Sequence, residues 1–392
     1  MQSAARIVAL ALLTALAACE TLSNPAQQGP EAPNRTAAAG AVPGQYIVVL
    51  QNNVADPAAV ANDLVTAAGG SLLRVYTSAL KGFAARLPAP AAAALQSNPL
   101  VAYVEADQMM RADGTQTMDA NGDPWGLDRI DQSALPLSRT YTYTSTGAGV
   151  HAYIIDTGIW TLHPEFGGRA NNVFDAYGLT GEDCNGHGTH VSGTIGAATY
   201  GVAKEVSLHG VRVLSCAGLG LNSDVIAGVD WVTAHHVNPA VANMSLGGGK
   251  SPALDQAVTN LWNSGMFLAV AAGNDNVDAC TESPSGAPSV FSVAASTKTD
   301  AKASYSNWGT CVEIYAPGSA IVSTYLGGTT MSLSGTSMAT PHVVGVAALY
   351  KATNGDQPSA AVSNWIVTNA TAGVITGNVN GTPNRLLFKG TL

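Results

Sequence analysis

Charged residues are scarce in this chain, and acidic residues outnumber basic ones. Only 11% of its 392 residues are charged and the formal net charge is -9, whereas a typical soluble protein has roughly 25% charged residues. The sequence contains no run of lysine and arginine. Because a nucleic-acid partner requires cations that replace phosphate counterions, this composition argues against one.

Cysteines and long apolar segments are also few. None of the five cysteines forms a CxxC pair or another closely spaced metal motif, which disfavours zinc. Beyond the first 19 residues, no segment is long and apolar enough for a transmembrane helix. The 46% hydrophobic content is nevertheless sufficient to bury a core in two or three domains, so disorder is not expected.

The N-terminus predicts export. Residues 1–19 combine one arginine with a short apolar run that ends in small residues, as in a signal peptide. The ending Leu-Ala-Ala-Cys resembles the lipobox of bacterial lipoproteins, so a transient lipid anchor at Cys19 is expected; the alternative is an ordinary signal with a chance cysteine. Residues 20–43 are rich in Pro, Ala and Gly, which predicts a linker.

Residues 44–112 have the pattern of a small α+β domain. A strand (Gln45–Gln51) and a helix (Pro57–Gly70) are followed by two strands, LLRVY and GFAARL, then by the helix PAAAALQSN and the strand Val101–Asp107. This order is the split βαβ pattern of a ferredoxin-like unit. Residues 113–124 are polar without periodicity, which predicts a second linker.

Residues 125–392 predict an α/β fold in three layers. Short apolar strands without strict alternation are separated by helices, which indicates a mostly parallel central sheet covered on both faces. The strand candidates are VHAYII, VSLHGVRVL, AVANMSL, GMFLAVAA and SVFSVAA, and the helix candidates include NSDVIAGVDWVTAHH, SPALDQAVTNLWNSG and GTSMATPHVVGVAALYKA. Ligands in such sheets bind beyond the carboxyl ends of the strands.

Three chemically capable residues occur at strand ends or helix starts. They are Asp156 in YIIDTGI, His187 in NGHGTHVSGT and Ser337 in SGTSMATPH. In the constellation that they fit, serine attacks a carbonyl, histidine accepts its proton and aspartate orients the imidazole. Each also has a simpler interpretation, as a loop cap, a packed histidine and a helix N-cap respectively. Their joint occurrence favours catalysis.

Five motifs in order, DTGI, HGTHVSGT, VANMSLGGG, AVAAGND and SGTSMATPH, resemble those of the subtilisin-like serine proteases. This is the subtilase family (peptidase family S8), and the similarity is strongest to its proteinase K and aqualysin branch. The segments YIVVL and AYVEAD resemble the two ends of the inhibitor I9-type prodomain of that family. The resemblance implies a subtilisin-like fold in residues 125–392, a prodomain in residues 44–112 that templates folding and inhibits, and self-cleavage between Ala112 and Trp125.

The resemblance also implies residue roles. It assigns catalysis to Asp156, His187 and Ser337, the oxyanion-hole amide to Asn274, and a supporting position to His190. The implied substrate-binding residues are Ser245, Leu246, Gly247, Gly248, Ala271, Ala272 and Gly273, with residues 218–221 as the opposite rim. Because these two pocket segments contain no acidic residue, an aromatic or aliphatic side chain is expected before the scissile bond.

Disulfides and calcium follow from the same resemblance. The four cysteines after Cys19 alone allow three connectivities; the resemblance implies Cys184–Cys216 and Cys280–Cys311. It also implies calcium sites, which oxygen ligands favour. One would use Pro288, Val290 and Glu313, and the other Asp128 and Asp131 with Gln132, for which surface capping acids are the alternative. No organic cofactor is expected.

The sequence thus predicts a secreted, monomeric serine endopeptidase of broad specificity, made as a self-processed zymogen and acting on proteins or peptides. Two interpretations from other classes stay open at this stage. One is a catalytically inactive binding protein on the same fold, and the other is a surface lipoprotein, for which Cys19 is the only support.

Overall fold

The computed structural model describes residues 41–112, 115–117, 124–379 and 381–392. The predicted signal peptide, Cys19 and the linker up to residue 40 lie outside these ranges. In the part of the chain that is described, no helix has both the length and the apolar character needed to cross a membrane.

The N-terminal domain, residues 41–112, has the predicted order of strand, helix, two strands, helix and strand. Its elements are β1 (Ala41–Leu50), α1 (Pro57–Ala67), β2 (Ser71–Tyr76), β3 (Gly82–Arg86), α2 (Ala89–Leu95) and β4 (Val101–Ala112). The strands form an antiparallel sheet in the order β4-β1-β3-β2. Strand β1 begins at Ala41, before the predicted Gln45, because Ala41 pairs with Gln108. The predicted linker therefore extends too far by three residues.

The strands and α-helices after β4 are interspersed along the rest of the chain. They are β5 (Thr115–Thr117), α3 (Trp125–Ile130), β6 (His151–Asp156), β7 (Ala170–Asp175), α4 (His187–Gly196), β8 (Ser207–Arg212), β9 (Leu219–Leu221), α5 (Asn222–His235), β10 (Ala240–Met244), β11 (Leu246–Gly249), α6 (Pro252–Asn263), β12 (Phe267–Ala271), β13 (Glu282–Ser283), β14 (Phe291–Ser296), β15 (Ile314–Pro317), β16 (Ile321–Tyr325), β17 (Thr329–Ser334), α7 (Thr336–Asn354), α8 (Ser359–Asn369), β18 (Thr371–Ala372) and β19 (Arg385–Leu386).

The C-terminal domain, residues 124–392, is built on a nine-stranded sheet in the order β18-β19-β15-β14-β12-β10-β6-β8-β7. All neighbouring pairs from β19 to β7 are parallel, and only the pair β18–β19 is antiparallel. The prediction of a mostly parallel sheet is confirmed. Strands β6 and β10 lie side by side in the middle, and their carboxyl ends carry Asp156 and Met244.

Each face of the parallel sheet packs against its own set of helices. On one face, Ile154, Val241 and Phe267 share a buried cluster with Val191 of α4 and Val343 of α7. On the other, Ile155, Ala242 and Leu268 share a cluster with residues of α5 and α6. The buried side chains alternate along each strand, as expected for a sheet covered on both faces.

The segment predicted as a structureless second linker contains a strand. Residues Thr115–Thr117 form β5, which pairs antiparallel with β17. The local sequence is polar and gives no strand signal, because the pairing partner is more than two hundred residues away in the chain. The rest of that linker, apart from Pro124, lies outside the described residues.

Candidate active site

Asp156 and His187 form a buried hydrogen-bonded pair. Asp156 is the last residue of β6 and is fully buried, and His187 is the first residue of α4. The His187 Nδ1 atom lies 2.8 Å from Asp156 Oδ1 and 3.0 Å from Oδ2. The carboxylate can therefore hold the imidazole with Nδ1 protonated, which leaves Nε2 as the proton acceptor in the neutral ring.

Glycine permits this close approach of helix and strand end. A Cβ atom at Gly188 would lie 2.2 Å from the Gly158 carbonyl oxygen and 3.2 Å from Asp156 Oδ1. The residue before the helix, Gly186, has φ +103°, and a side chain there would collide with the Tyr325 ring. The glycines of NGHGTH thus allow His187 to reach the carboxylate.

Asp183, which was not predicted from the sequence, connects the chain segments on either side of this pair. Its buried carboxylate accepts hydrogen bonds from the hydroxyl of Thr157, which follows Asp156, at 2.9 Å. It also accepts bonds from the backbone amides of Asn185, Gly186 and Thr189, each at 2.9 Å. Burial raises the pKa of Asp183, an effect that these hydrogen bonds oppose. An aspartate just before a helix start could have signalled such capping.

Ser337 is the second residue of α7 and is buried. Its Oγ donates a 3.2 Å hydrogen bond to the carbonyl of Ser245, and the Ser245 hydroxyl donates at 2.8 Å to the Ser337 carbonyl. Ser245, just after the end of β10, therefore holds Ser337 through two hydrogen bonds. Backbone amides in the first turn of a helix have no intrahelical acceptor, and the helix dipole favours negative charge there.

Asn274 presents a free amide group beside this helix start. Its Oδ1 accepts hydrogen bonds from the backbone amide of Thr336 at 2.8 Å and from the Thr336 hydroxyl at 3.1 Å. Those bonds orient the amide group, and its Nδ2 is buried without a hydrogen-bond partner. Because a buried donor without an acceptor is costly, an unused Nδ2 next to Ser337 is what an oxyanion donor requires.

His190 connects the helix that carries His187 to the hairpin that precedes Ser337. Its Nε2 lies 3.0 Å from the carbonyl oxygens of Ile321 and Met331, on β16 and β17. Burial is the main cause that lowers the pKa of His190 to about 3, so the ring is neutral and Nε2 is the donor. This position agrees with the supporting role implied for it.

The end of the N-terminal domain lies between two strands of the C-terminal domain. Strand β4 pairs antiparallel with β11 on one side, where Ala112 is opposite Leu246 and Arg111 is opposite Gly247. On its other side β4 pairs with β9, over residues 109–111. These strands include Leu246, Gly247 and Gly248, which the resemblance implied as substrate-binding residues, and most of the rim predicted at residues 218–221. An extended chain thus adds a strand between two edges, a common mode of peptide recognition.

The next described segment of the chain, β5, pairs with a different strand. Strand β5 begins at Thr115, opposite Ser334 of β17, and β17 leads through Gly335 into the helix of Ser337. The backbone before residue 113 and the backbone after residue 114 are therefore held by different strands, with Ser337 at the start of the element that follows β17.

The second predicted pocket segment consists of Ala271, Ala272 and Gly273. All three residues are buried, at or just after the end of β12. Gly273 has φ +104°, and a Cβ there would lie 2.5 Å from Glu282 Oε2. Glu282 pairs with Gly249 of β11, and its Oε2 accepts a 3.0 Å hydrogen bond from Asn307. The sequence interpretation missed this carboxylate because it comes from β13, outside both pocket segments.

Two acidic residues of β4 bind the starts of helices in the C-terminal domain. The Glu105 carboxylate accepts hydrogen bonds from the Ser251 hydroxyl and, at 2.9 Å, from the Ala253 amide at the start of α6. Asp107 Oδ1 accepts the Ser223 amide at the start of α5 at 2.9 Å. Carboxylates stabilise helix N-termini, so the N-terminal domain docks through two charge-assisted caps.

The structure contains the two disulfides that the resemblance implied. They join Cys184 to Cys216 and Cys280 to Cys311, with sequence separations of 32 and 31 residues. Cys184 lies three residues before His187, so the first disulfide anchors the loop that presents the histidine. The Arg212 guanidinium lies 3.4 Å from the Cys184 sulfur.

The two candidate calcium sites differ in their contacts. Pro288 and Val290 precede β14 and Glu313 precedes β15; because these strands are parallel neighbours, the three residues share one sheet edge and supply the oxygen ligands that suit calcium. Among the described residues, no group of three or more His, Cys, Asp or Glu side chains is placed to hold a metal ion.

At the second candidate site the carboxylates already have partners. Both oxygens of Asp128 accept hydrogen bonds from Ser138 and Arg139. Asp131 Oδ2 accepts the amide and hydroxyl of Thr142, and Gln132 accepts the Ser138 amide. These contacts differ from the helix-capping alternative, because the acids bind groups of the loop 138–142 and not a helix start.

A histidine bonded to a buried carboxylate, with a serine at a helix start beside an unused amide donor, is typical of serine hydrolases on an α/β fold. Comparison with known proteins narrows this class. Residues 147–387 match the family model described as Subtilase family, and residues 45–113 match that described as Peptidase inhibitor I9. The chain belongs to the subtilase family and is a serine protease with an I9-type N-terminal domain.

Individual relatives agree. An extracellular serine proteinase of Thermus sp. (strain Rt41A) is 48% identical over 402 residues, which cover 96% of this chain and 97% of the relative. A cuticle-degrading protease of Metarhizium anisopliae is 45% identical over 352 residues, 88% of this chain and 89% of the relative. The crystal structure of a cold adapted subtilisin-like serine proteinase matches with a TM-score of 0.67 and 50% identity, over 68% of this chain and 98% of the other. The predicted subtilisin-like fold is confirmed.

Proposed function

We propose that this protein is a secreted endopeptidase that cleaves its own N-terminal domain from the C-terminal domain. In this mechanism Ser337 attacks the carbonyl carbon of the scissile bond, and His187 accepts the serine proton and passes it to the leaving amine. Asp156 stabilises the imidazolium, and the Asn274 Nδ2 and the Ser337 amide donate to the oxyanion. Water then hydrolyses the acyl-enzyme.

The observation that carries this proposal is the path of the chain. Strand β4 lies between β9 and β11 up to Ala112, and β5 lies on β17 from Thr115. The Ser337 hydroxyl donates to Ser245, the residue just before Leu246, which pairs with Ala112. We place the maturation cut between Ala112 and Thr115, which narrows the predicted interval that extended to Trp125.

Replacing the nucleophile tests the proposal. The Ser337→Ala chain should retain full length, whereas the unaltered chain should yield a product that begins at residue 113, 114 or 115. Intact mass of the secreted protein reads out both, and Ser97→Ala, an exposed serine of the N-terminal domain, serves as the matched control. Processing of Ser337→Ala in a protease-free preparation contradicts self-cleavage.

A casein assay separates the endopeptidase from the two other classes that the sequence left open. Hydrolysis that a serine-directed inhibitor abolishes is expected of the enzyme. Neither an inactive binding protein nor a surface lipoprotein predicts it. The relatives also support export, because one of them is named as an extracellular proteinase. Lipidation at Cys19 stays a prediction, and the mass of the precursor tests it.

For specificity we propose aromatic or aliphatic side chains before the scissile bond, because Leu246, Ala271 and Ala272 are apolar and buried. Glu282 modifies this proposal, since its strand pairs with β11 and its Oε2 atom would lie 2.5 Å from a Cβ atom at Gly273. Lysine at that substrate position should therefore also be cleaved. In Glu282→Gln, kcat/KM for a lysine peptide should fall relative to a phenylalanine peptide; an unchanged ratio removes Glu282 from specificity.

Calcium remains a proposal for the edge formed by Pro288, Val290 and Glu313. The ion would supply structural stabilisation there and takes no part in the chemistry above. If this is correct, removing calcium lowers the melting temperature, and Glu313→Gln reduces that difference. The Asp128 and Asp131 site has less support, because the loop contacts already account for its oxygens.

A further inference from the structure

Two histidines meet at the end of the parallel sheet opposite the active site. His151 is the first residue of β6, the strand that ends in Asp156, and His209 lies in the neighbouring strand β8. Tyr153 is paired with His209, so His151, two residues earlier, points to the same face of the sheet. The His151 Nδ1 and His209 Nε2 atoms are 2.8 Å apart, and the two ring planes differ by only 16°.

A third residue determines which nitrogen of His209 has a lone pair. The His209 Nδ1 atom lies 2.6 Å from Asn171 Oδ1 on β7. An amide oxygen can only accept, so Nδ1 carries the hydrogen and Nε2 presents its lone pair towards His151. The Tyr153 ring lies against the His209 ring, with centroids 4.8 Å apart. The His209 imidazole is therefore held in both tautomer and orientation.

We propose that His151 and His209 form a two-histidine binding site for a divalent transition-metal ion, such as Zn²⁺, Ni²⁺ or Cu²⁺, with water completing the coordination sphere. Such ions bind imidazole nitrogen at about 2.0–2.1 Å, so two nitrogens in one coordination sphere are about 3 Å apart. The observed separation of 2.8 Å is close to this value. Binding requires a small rotation of His151, whose proton moves to its outer nitrogen or to water.

The surroundings suit such an ion rather than calcium. Neutral imidazole is a ligand for zinc, copper and nickel, whereas calcium selects oxygen. Both rings are only partly buried, so water and an ion can reach them.

Asn171 would orient the metal ligand His209 by accepting a hydrogen bond from its other ring nitrogen. A residue that accepts the second N–H of a metal-bound histidine typically changes metal affinity by about 10- to 100-fold when it is mutated. The site is separated from Asp156 by the length of β6, about 17 Å at 3.3 Å per residue. Metal binding there is therefore measurable with the protease blocked.

Titration of the secreted protein with NiCl₂ tests the inference. The protein carries no histidine tag and is inactivated with a serine-directed inhibitor, and isothermal calorimetry gives stoichiometry and affinity. One site per chain is expected. His151→Gln and His209→Gln should each weaken binding at least tenfold, and Asn171→Ala by about 10- to 100-fold. Copper at the same site should show nitrogen coupling in its electron paramagnetic resonance spectrum.

A matched control uses the other neighbouring histidines. His235 and His236 are adjacent at the end of α5, and each Nδ1 is engaged by a backbone carbonyl of that helix. The double variant His235→Gln/His236→Gln should bind nickel as the unaltered protein does. Equal affinity in the unaltered protein, His151→Gln and His209→Gln overturns the proposal, as does loss of binding only in the double variant. If His209→Gln fails to fold, His151→Gln at the strand end decides alone.

Discussion

The sheets of the two domains bury their apolar faces in different ways. Both faces of the parallel sheet are covered by helices of the C-terminal domain itself. The N-terminal sheet covers one face with its own α1 and α2, where Val48 and Phe83 are buried. Its other face, with Ile47, Val49 and Tyr76, is part of the cluster that contains α5 and α6.

This difference has a consequence for maturation. The C-terminal domain has a complete core, whereas the N-terminal domain completes one only by docking. Tyr76 donates its hydroxyl to the Ser223 carbonyl, and Asp230 accepts backbone amides of residues 77–79. The proposed cut between the domains would convert this docked face from an intramolecular contact into that of a bound inhibitor. Substitutions in the C-terminal domain should change catalysis, whereas substitutions at the docked face should change the binding of the N-terminal domain.

The largest effect is expected where only the C-terminal domain contributes. Asp156→Asn should lower kcat by about 10⁴-fold, because an amide favours the wrong imidazole tautomer. Peptide hydrolysis and the rate of self-processing measure it. Asp356→Asn, which removes a partly exposed carboxylate paired with Lys351, should leave both rates unchanged. A fall of less than tenfold in Asp156→Asn would remove Asp156 from the catalytic set.

The oxyanion donor should matter less than the triad. Asn274→Leu is expected to lower kcat by about 10²- to 10³-fold, the loss known for the corresponding donor in subtilisin, with little change in KM. Thr336→Val retains the Thr336 amide but removes its hydroxyl bond to Asn274 Oδ1, so its effect should be tenfold or smaller. Equal losses in the two variants would mean that Asn274 acts only through the helix start.

The caps should affect docking and not chemistry. In the Ser337→Ala precursor, Glu105→Ala combined with Asp107→Ala should weaken docking of the N-terminal domain about 30-fold, if each helix cap contributes about 1 kcal/mol. Hydrogen exchange should rise in the first turns of α5 and α6. Asp56→Asn, a cap of α1 inside the N-terminal domain, should leave exchange there unchanged. Unchanged exchange in the double variant contradicts the capping role.

The smallest effect concerns pH. Burial raises the pKa of Glu105 above its usual 4.5, and it likewise raises those of Asp224 and Asp230 at the same interface. A raised pKa means that the docked state binds more protons than the undocked state, so docking should strengthen as pH falls from neutral into this titration range and weaken as pH rises through it.

Thermal unfolding of the Ser337→Ala precursor at several pH values tests this dependence. Glu105→Gln should flatten the pH dependence of the melting temperature only in part, since Asp224 and Asp230 titrate in the same direction. The predicted direction would be contradicted if mild acidification lowered the melting temperature of the precursor and the pH dependence had the same slope in Glu105→Gln.

Much of the site could be predicted from the sequence because its groups sit in local motifs. Asp156 ends a hydrophobic strand, His187 begins a helix directly after Gly186, and Ser337 is the second residue of the helix that follows Gly335. Asp183 and Glu282 were not predicted. The position of Asp183 before a helix start indicates capping, but its bond to Thr157, 26 residues away, has no signal in the local sequence. Glu282 is brought close to the predicted pocket segments by pairing with Gly249, which the local sequence does not indicate.

The sequence by itself determined the family, the order of the elements and the chemical groups available, since periodicity and short motifs are local properties of the chain. The tertiary structure alone decided which groups share an environment. It placed β5 on β17, Glu105 and Asp107 on two helix starts, and His151 against His209. The physical reason is that strand pairing and charge burial depend on partners distant in sequence, whose register is set only when the sheets assemble.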